Sequence, residues 1–280
     1  MEPQTNPDDP AGAPPEARPR RNPKLPRQKL PLLRMGARTS TCGEVALGFS
    51  EDQARLEVLR CLNCKDPKCI EACPLHIDIK AFVSRMVEGD FGGALAKINE
   101  QNPFPGICGR VCQHELYCES ACLLGSPKTK LEPVAIGSLE RFVVDWSRRR
   151  PEPEPRVSPA NGIRVALVGS GPASLIAAYD LVRKGYRVTV LEALHELGGV
   201  LAYGIPPFRL PREILREEIE RLCDLSVEFR TNFSVGRTAT VAELFAEGFA
   251  AVFLGTGAGL PHLMGIPGEN LIGVYTANDS

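Results

Sequence analysis

Cysteine constrains this chain of 280 residues more than any other residue type. Ten cysteines are present, and eight of them form two runs. The first run has the spacing Cys61-x2-Cys64-x4-Cys69-x3-Cys73, and the second has the spacing Cys108-x3-Cys112-x5-Cys118-x3-Cys122. The acidic, proline-rich start of the chain lacks the apolar stretch of an export signal, so we expect a cytoplasmic protein with reduced thiols. In that setting, clustered cysteines indicate metal ligands rather than disulfides.

Two kinds of metal site compete for such thiols. Zinc sites commonly use two Cys-x2-Cys pairs separated by a longer loop. Here each run opens on its tightest spacing and then widens, and the first run ends in Cys73-Pro74. That ending resembles the bacterial ferredoxin motif, although the loop between Cys64 and Cys69 is longer here. The runs therefore favour two 4Fe–4S clusters, with zinc and disulfides as the alternatives.

In the ferredoxin motif, the cysteine before proline binds the other of the two clusters. The same crossing here gives the first cluster the ligands Cys61, Cys64, Cys69 and Cys122. The second cluster then receives Cys73, Cys112 and Cys118, with Cys108 as its fourth ligand by symmetry alone. The two cysteines outside the runs, Cys42 and Cys223, are expected to be structural.

The rest of the sequence divides the chain into four parts. Residues 1–38 contain nine prolines and are expected to form a disordered tail. Residues 39–147 show helical periodicity without a strand pattern, which predicts a small all-helical domain. Residues 148–160 alternate proline with charged residues, as an extended linker does. Residues 161–280 alternate strands with helices, which is typical of a parallel sheet covered by helices.

Individual elements follow from the same patterns. Helices are predicted at 51–60, 78–88, 90–98, 137–146, 172–184, 211–222 and 241–246. Strands are predicted at 163–168, 187–191, 227–230 and 250–254.

A glycine-rich loop follows the first predicted strand directly and opens the next helix. Glu192 closes the second strand, 18 residues after Ser174. This combination matches the fingerprint of a site for adenosine diphosphate, in which glycines let the pyrophosphate approach a helix N-terminus and an acid binds the ribose. A serine in the third glycine position is still small enough for helix–strand packing. The candidate residues of the loop are Gly169, Gly171, Pro172, Ala173 and Ser174.

The fingerprint alone does not distinguish FAD from NAD. Gly198 and Gly199 would let a second loop approach a large cofactor closely, and the segment from Leu254 to Gly257 is expected to close over the same cofactor. The four histidines have no evident partners and are expected to have surface or packing roles. No side chain is predicted to act as a catalytic acid or base.

Several longer stretches resemble one known family. The matching segments are RCLNCKDPKCIEACP (60–74), PVAIGSLERFVVDW (133–146), VGSGPAS (168–174), GGVLAYGIPPFRLP (198–211) and GTGAGLPHLMGIPGENLIGVY (255–275). They are similar to the small subunit of NADPH-dependent glutamate synthase. The same family includes the flavoprotein subunit of NADH-dependent ferredoxin–NADP transhydrogenase and the N-terminal half of dihydropyrimidine dehydrogenase. The resemblance runs from about residue 38 to residue 280.

The resemblance implies an α + α/β protein, with a helical two-cluster domain followed by a Rossmann-like FAD domain. It implies an oxidoreductase that passes electrons from NAD(P)H through FAD to two 4Fe–4S clusters. The partner would be a catalytic subunit such as the glutamate synthase large subunit. The alternatives are a subunit of the transhydrogenase or dihydropyrimidine dehydrogenase type, and a cluster-carrying binding subunit without catalysis.

The resemblance also implies site residues. In this family a Glu or Gln in the helix IGxLE completes the second cluster, so the position falls on Glu140, with Cys108 as the alternative. By similarity, the FAD contacts fall on the glycine loop, Glu192, Gly198, Gly199, Val200, Arg209 and the backbone of Val235. Gly257 is a further candidate, because it ends the segment that is expected to close over the cofactor.

The family would continue beyond residue 280 into an NAD(P)H domain. We therefore expect the NAD(P)H site to lie outside this chain, and the chain alone to bind FAD weakly and not to oxidise NADPH. The formal net charge of −1 predicts no binding to nucleic acid. The sequence also contains no apolar run long enough to predict a membrane span.

Overall fold

The computed structural model describes residues 19–148, 150, 156–259 and 262–275. Residues 1–18 of the predicted tail and residues 149 and 151–155 of the predicted linker lie outside the described residues. Within the described part of the chain, no helix is both long enough and apolar enough to cross a bilayer.

The cysteine-rich region is helical, as its periodicity predicts. Its elements are α1 (Met35–Arg38), α2 (Glu51–Val58), α3 (Lys68–Ala72), α4 (Ile79–Val87), α5 (Phe91–Asn99), α6 (Pro105–Val111) and α7 (Ile136–Ser147), with 3-10 turns at His114–Leu116 and Leu123–Gly125. Ser50 and Gln53 form the expected capping box at the start of α2, and Asp78 and Asp90 cap α4 and α5. The apolar faces of α4, α5 and α7 make one core, and the thiols of both runs lie at its edge.

Residues 19–38 correct the prediction of a disordered tail, because they are anchored to the helical domain. The backbone N–H of Asn22 donates to the carbonyl of Leu59 at 2.7 Å. Arg21 donates to the carbonyl oxygen of Cys61 at 3.2 Å and to the Ser84 hydroxyl at 3.0 Å. The prolines, at positions 19, 23, 26 and 31, precede the short helix α1 and disfavour regular structure in the part of the segment before it. They leave its carbonyls and arginine side chains free to bond to the domain, which composition alone does not indicate.

A fully buried ion pair ties this N-terminal segment to the start of α7. Arg60 and Glu57 are about 1% and 0% exposed, with Nη1 and Oε1 separated by 2.6 Å. Arg60 also donates to the carbonyl of Glu132, and Glu57 accepts the backbone N–H groups of Gln28 and Ala135. Because both charges are fully hydrogen-bonded, the pair can be buried without an orphaned charge.

Residues 164–254 form a parallel sheet covered by helices. The strands are β1 (Arg164–Val168), β2 (Arg187–Leu191), β3 (Glu228–Arg230) and β4 (Ala251–Leu254), and the helices are α8 (Pro172–Arg183), α9 (Val200–Tyr203), α10 (Arg212–Asp224) and α11 (Val241–Ala246). The strand order is β3-β2-β1-β4. Val168 lies opposite Leu191 on one side and Leu254 on the other. This register brings the loops after β1, β2 and β4 together at one edge, where ligands bind to such sheets.

Helix α6 contacts both domains. It packs against α7 of the helical domain and against α10 of the sheet domain. Phe104 and Ile107 lie in the core of the sheet domain, with the ring of Phe104 6.2 Å from that of Tyr179. On the other side, a Cβ at Gly109 would lie 2.9 Å from the Arg141 Cα. The two parts that the sequence separates at residues 148–160 therefore share a helix.

Candidate metal centres and dinucleotide site

Four thiols drawn from both runs surround one small cavity. They are Cys61, Cys64, Cys69 and Cys122, the set that the crossed arrangement predicts for the first cluster. Apolar side chains, among them Val83 and Leu124, line the rest of the cavity. Asn63 has a positive φ of 51°, a conformation that asparagine tolerates better than most residues. It lets the Asn63 backbone N–H bond to the Cys61 sulfur.

Burial makes these thiols poor acids when no metal is bound. It raises the pKa of Cys61, and it raises the pKa of Cys69 to about 12, with the negative charges of Cys122 and Cys64 adding to the effect. Four thiolates at this place therefore need a compensating cation. Iron in a cluster supplies that charge, and thiolates are the soft ligands that such clusters take. The donor set of the first cavity fits an iron–sulfur cluster.

A second group of cysteines lies around Glu140 on α7. Burial, and after it the charge of Glu140, raises the pKa of Cys112 and raises the pKa of Cys108 to about 12. Burial also raises the pKa of Cys118, with Glu119, Glu140 and Cys73 adding to it. The residues predicted for the second cluster thus influence one another electrostatically, and both candidates for the fourth ligand are among them.

The Glu140 carboxylate is buried, at 4% exposure, and a polar side chain lies beside each of its oxygens. Asn102 Nδ2 donates to Oε1 at 3.0 Å, and His114 Nε2 lies 3.4 Å from Oε2. Burial lowers the pKa of His114, but its interaction with the nearby Glu140 carboxylate more than offsets this, so that the pKa is raised. A Cβ at Gly137 would lie 2.2 Å from His114 Nδ1, so only glycine lets the ring lie this close to α7.

Sequence reasoning missed the roles of Asn102 and His114. The sequence predicts a packing or surface role for His114 and no role for Asn102. Both contacts join residues at least 26 positions apart in the sequence, and no local pattern indicates them. Among residues 19–148, 150, 156–259 and 262–275, no three His, Cys, Asp or Glu side chains are grouped so as to hold a single metal ion.

The glycine loop after β1 forms a cradle at the predicted edge of the sheet. Gly169 has a φ of +90°, and a Cβ there would lie 2.5 Å from the carbonyl oxygen of Gly255. Gly199 has a φ of +54°, and its Cβ would lie 2.8 Å from the Cα of Gly171. Gly171 is the N-cap of α8 and makes no side-chain cap, while a Cβ at this position would meet nothing within 4 Å. Three loops thus converge beside uncapped N–H groups, which suits a pyrophosphate.

Glu192, the predicted ribose ligand, accepts three hydrogen bonds from the protein itself. Its Oε2 accepts hydrogen bonds from the Ser170 backbone N–H at 2.8 Å and from the Ser170 hydroxyl at 2.6 Å. Its Oε1 accepts the N–H of Leu194 at 2.9 Å. A carboxylate offers about four acceptor sites, so Oε1 retains capacity for one further donor such as a ribose hydroxyl.

Ser174 fits because a glycine lies opposite it. A Cβ at Gly255 would lie 2.3 Å from the Ser174 Oγ. That hydroxyl is buried and has no hydrogen-bond partner in the described part of the chain. The β4 loop thus lies against the first loop, while closure of residues 254–257 over a cofactor stays a prediction.

The other predicted FAD contacts are spread more widely. Val200 is exposed at the start of α9. Arg209 donates to the carbonyl of Val111 at 3.4 Å, towards the helical domain. Val235 bridges to Ala239 and packs against a small core cluster that includes Leu244 and Phe249. That Val200, Arg209 and Val235 contact FAD stays a prediction.

Comparison with known proteins agrees with both parts of the chain. Residues 38–152 match the family described as dihydropyrimidine dehydrogenase domain II, 4Fe-4S cluster, and residues 167–208 match an NAD(P)-binding Rossmann-like domain. The NADPH glutamate synthase small chain of Escherichia coli (strain K12) is 34% identical over 84% of this chain and 49% of its own length.

Two other relatives are similar to a comparable degree. The NADP(+)-dependent formate dehydrogenase subunit beta of Moorella thermoacetica is 38% identical over 72% of this chain and 31% of its own length. The NAD-dependent dihydropyrimidine dehydrogenase subunit PreT of Escherichia coli (strain K12) is 37% identical, over 78% and 53% respectively. The chain thus spans about a third to about half of the length of these relatives.

Proposed function

Because this chain belongs to the family of iron–sulfur flavoprotein oxidoreductase subunits that includes the glutamate synthase small chain, we propose that it moves electrons from NAD(P)H through FAD into two 4Fe–4S clusters and on to a partner. The observation that supports this most is the arrangement of the two thiol groups and the glycine cradle. All three lie on one continuous protein body, joined by α6. Bound FAD would accept a hydride, and the clusters would pass single electrons onward.

The residues of this chain then have binding roles rather than acid–base roles. The first cluster takes Cys61, Cys64, Cys69 and Cys122. The second takes Cys73, Cys112, Cys118 and Glu140, with Cys108 as a neighbour. The loop Gly169–Ser174 and the N-terminus of α8 hold the pyrophosphate of FAD, and Glu192 binds the ribose while it braces the loop. No residue of this chain is assigned to NAD(P)H.

The partner is a catalytic subunit, of which the glutamate synthase large chain is the first candidate. The related formate and dihydropyrimidine dehydrogenase subunits are similarly close in sequence. The identity of the final acceptor therefore depends on the partner rather than on the two thiol groups, and a pull-down from the source cell followed by an electron-transfer assay identifies it.

Iron and sulfide analysis tests the clusters. Protein purified without oxygen is expected to contain about eight irons and about eight acid-labile sulfides per chain, because each of two such clusters holds four of each. Its visible absorption is expected to bleach on reduction with dithionite. Stoichiometric zinc without iron would contradict the proposal.

Substitution at the fourth position of the second cluster tests the ligand set. Glu140→Ala is expected to lose about half of the iron, because a cluster needs four ligands, whereas Cys108→Ser is expected to keep both clusters. Glu140→Gln is the matched control, since its amide oxygen can still bind iron. Iron analysis and low-temperature EPR give the result. Loss of a cluster in Cys108→Ser, with Glu140→Ala unaffected, would restore the all-cysteine set.

A further inference from the structure

Arg21 joins two walls of the cavity that the first thiol group surrounds. Its Nη1 donates to the carbonyl oxygen of Cys61 at 3.2 Å, and its Nη2 donates to the Ser84 hydroxyl at 3.0 Å. Cys61 is a predicted cluster ligand, and Ser84 follows Val83, which lines the cavity from α4. The guanidinium therefore lies beside the proposed first cluster, and the protein holds both of its terminal nitrogens.

The backbone next to Arg21 is anchored as well. The N–H of Asn22 donates to the Leu59 carbonyl at 2.7 Å. The N–H of Gln28 donates to the buried Glu57 carboxylate at 2.8 Å. The segment between these two contacts is held at both ends, so the charge of Arg21 stays in one place.

The positive charge of Arg21 acts on the Cys61 sulfur. Burial dominates the pKa of this thiol and raises it, whereas the Asn63 N–H and the charge of Arg21 act in the opposite direction. Arg21 thus favours negative charge at this sulfur. Apolar side chains such as Leu124 line the rest of the cavity, and a low dielectric strengthens the interaction between charges.

A bound cluster would respond to the same charge when it is reduced. Reduction of a 4Fe–4S cluster adds one electron, which reduced FAD gives up, and so adds one negative charge to the buried site. Burial opposes this step, since a low dielectric penalises the more highly charged state. A fixed cation favours the step, because the charge of the site is one of the factors that set the potential of a cluster.

From these contacts we propose that Arg21 raises the midpoint potential of the first cluster and makes it a better acceptor for electrons from FAD. The inference rests on the proposed function, and it extends that function by naming a residue outside both cysteine runs that sets the potential of one cluster. Cys112, in the second thiol group, is instead influenced by the carboxylates of Glu140 and Glu115. The effect is therefore expected at the first cluster only.

The test is a redox titration, followed by EPR, of wild type, Arg21→Gln, Arg21→Lys and Lys24→Gln. Arg21→Gln removes the charge and is expected to shift the reduction equilibrium of the first cluster about tenfold towards the oxidised form, or about 59 mV for one electron. Arg21→Lys keeps the charge and is expected to stay close to wild type. Lys24→Gln is the matched control, because it removes the charge of an exposed residue in the same segment. Cys64→Ser, which removes a ligand of the first cluster, identifies the EPR signal of that cluster.

The proposal is supported if Arg21→Gln lowers the midpoint potential of the first cluster alone and Arg21→Lys restores it. It is overturned if the potential of the first cluster does not change or if both clusters shift equally. It is also overturned if Lys24→Gln or Arg21→Lys gives the same shift as Arg21→Gln.

A further variant separates the potential from assembly of the site. If Arg21→Gln does not retain iron in the first cluster, Arg21→Met replaces it, because methionine keeps an unbranched apolar side chain without the charge. Loss of the first cluster from both variants would overturn the proposal, since Arg21 would then be needed to build the site rather than to set its potential. Failure of the proposed function has a different signature, because the wild type itself would then lack iron.

Discussion

Cys73→Ser is expected to abolish the second cluster, which also takes Cys112 and Cys118, and to leave the first cluster intact. The reason is the crossed arrangement, in which Cys73 lies with Cys112 and Cys118, whereas Cys122 lines the cavity of the first run. Cys122→Ser is expected to have the opposite effect. Each variant should lose about half of the iron, because one of two clusters lacks a ligand.

The two losses can be told apart by EPR. Cys64→Ser and Cys112→Ser define the signal of each cluster, since the assignment gives each of them to the cluster of its own run. Cys73→Ser should then match Cys112→Ser, and Cys122→Ser should match Cys64→Ser. Cys42→Ser is the control, because this cysteine is exposed and lies outside both groups. The crossing is wrong if Cys73→Ser matches Cys64→Ser.

Gly171→Ala is expected to weaken FAD binding by more than about tenfold, or about 1.4 kcal/mol, without loss of fold. Its φ of −69° suits alanine, and the added Cβ meets no protein atom within 4 Å. That open space lies at the N-terminus of α8, where the pyrophosphate would approach, so the methyl group competes with the cofactor. Calorimetric titration with FAD and thermal denaturation measure the two effects.

Gly169→Ala is expected to weaken both FAD binding and the fold. Its φ of +90° is strained for alanine, and the Cβ would collide with the Gly255 carbonyl, so a loss of about 1–3 kcal/mol in stability is expected. Gly92→Ala in α5 is the matched control, since its Cβ is unobstructed and lies far along the chain from the cradle. Unchanged FAD affinity in Gly171→Ala would show that the glycine loop is not part of the FAD site.

Local chemistry explains which features could be predicted from the sequence. The capping box of Ser50 and Gln53 involves neighbouring residues only, and the structure contains it. The four strands are found within one residue of their predicted starts. Of these, β1 and β2 are the buried apolar runs that such a pattern indicates. The glycine fingerprint likewise depends on a strand, a turn and a helix that are consecutive in the chain.

Features that depend on tertiary contacts were not predictable in this way. Glu140 entered only through the family resemblance, and Asn102 reaches it across 38 positions. Residues 19–38 have the composition of a disordered tail, yet Asn22 and Arg21 donate hydrogen bonds to the helical domain. Their partners are about 40 positions away, so the sequence of the tail does not indicate these contacts. Glu192 directly follows β2, as the strand prediction has it, but its bonds to Ser170 depend on how the two loops meet.

The position of α6 between the two domains has a consequence for how the protein loses its structure. Phe104 and Ile107 are buried by the sheet domain, while the last turn of the same helix leads to Cys112. Unfolding of the sheet domain would therefore release one wall of the second thiol group, and the two parts should melt as one cooperative unit. By mass action, a dinucleotide at one hundred times its Kd adds about 2.7 kcal/mol to that unit. Occupancy of the cradle should thus slow the escape of iron from a site that the dinucleotide never touches.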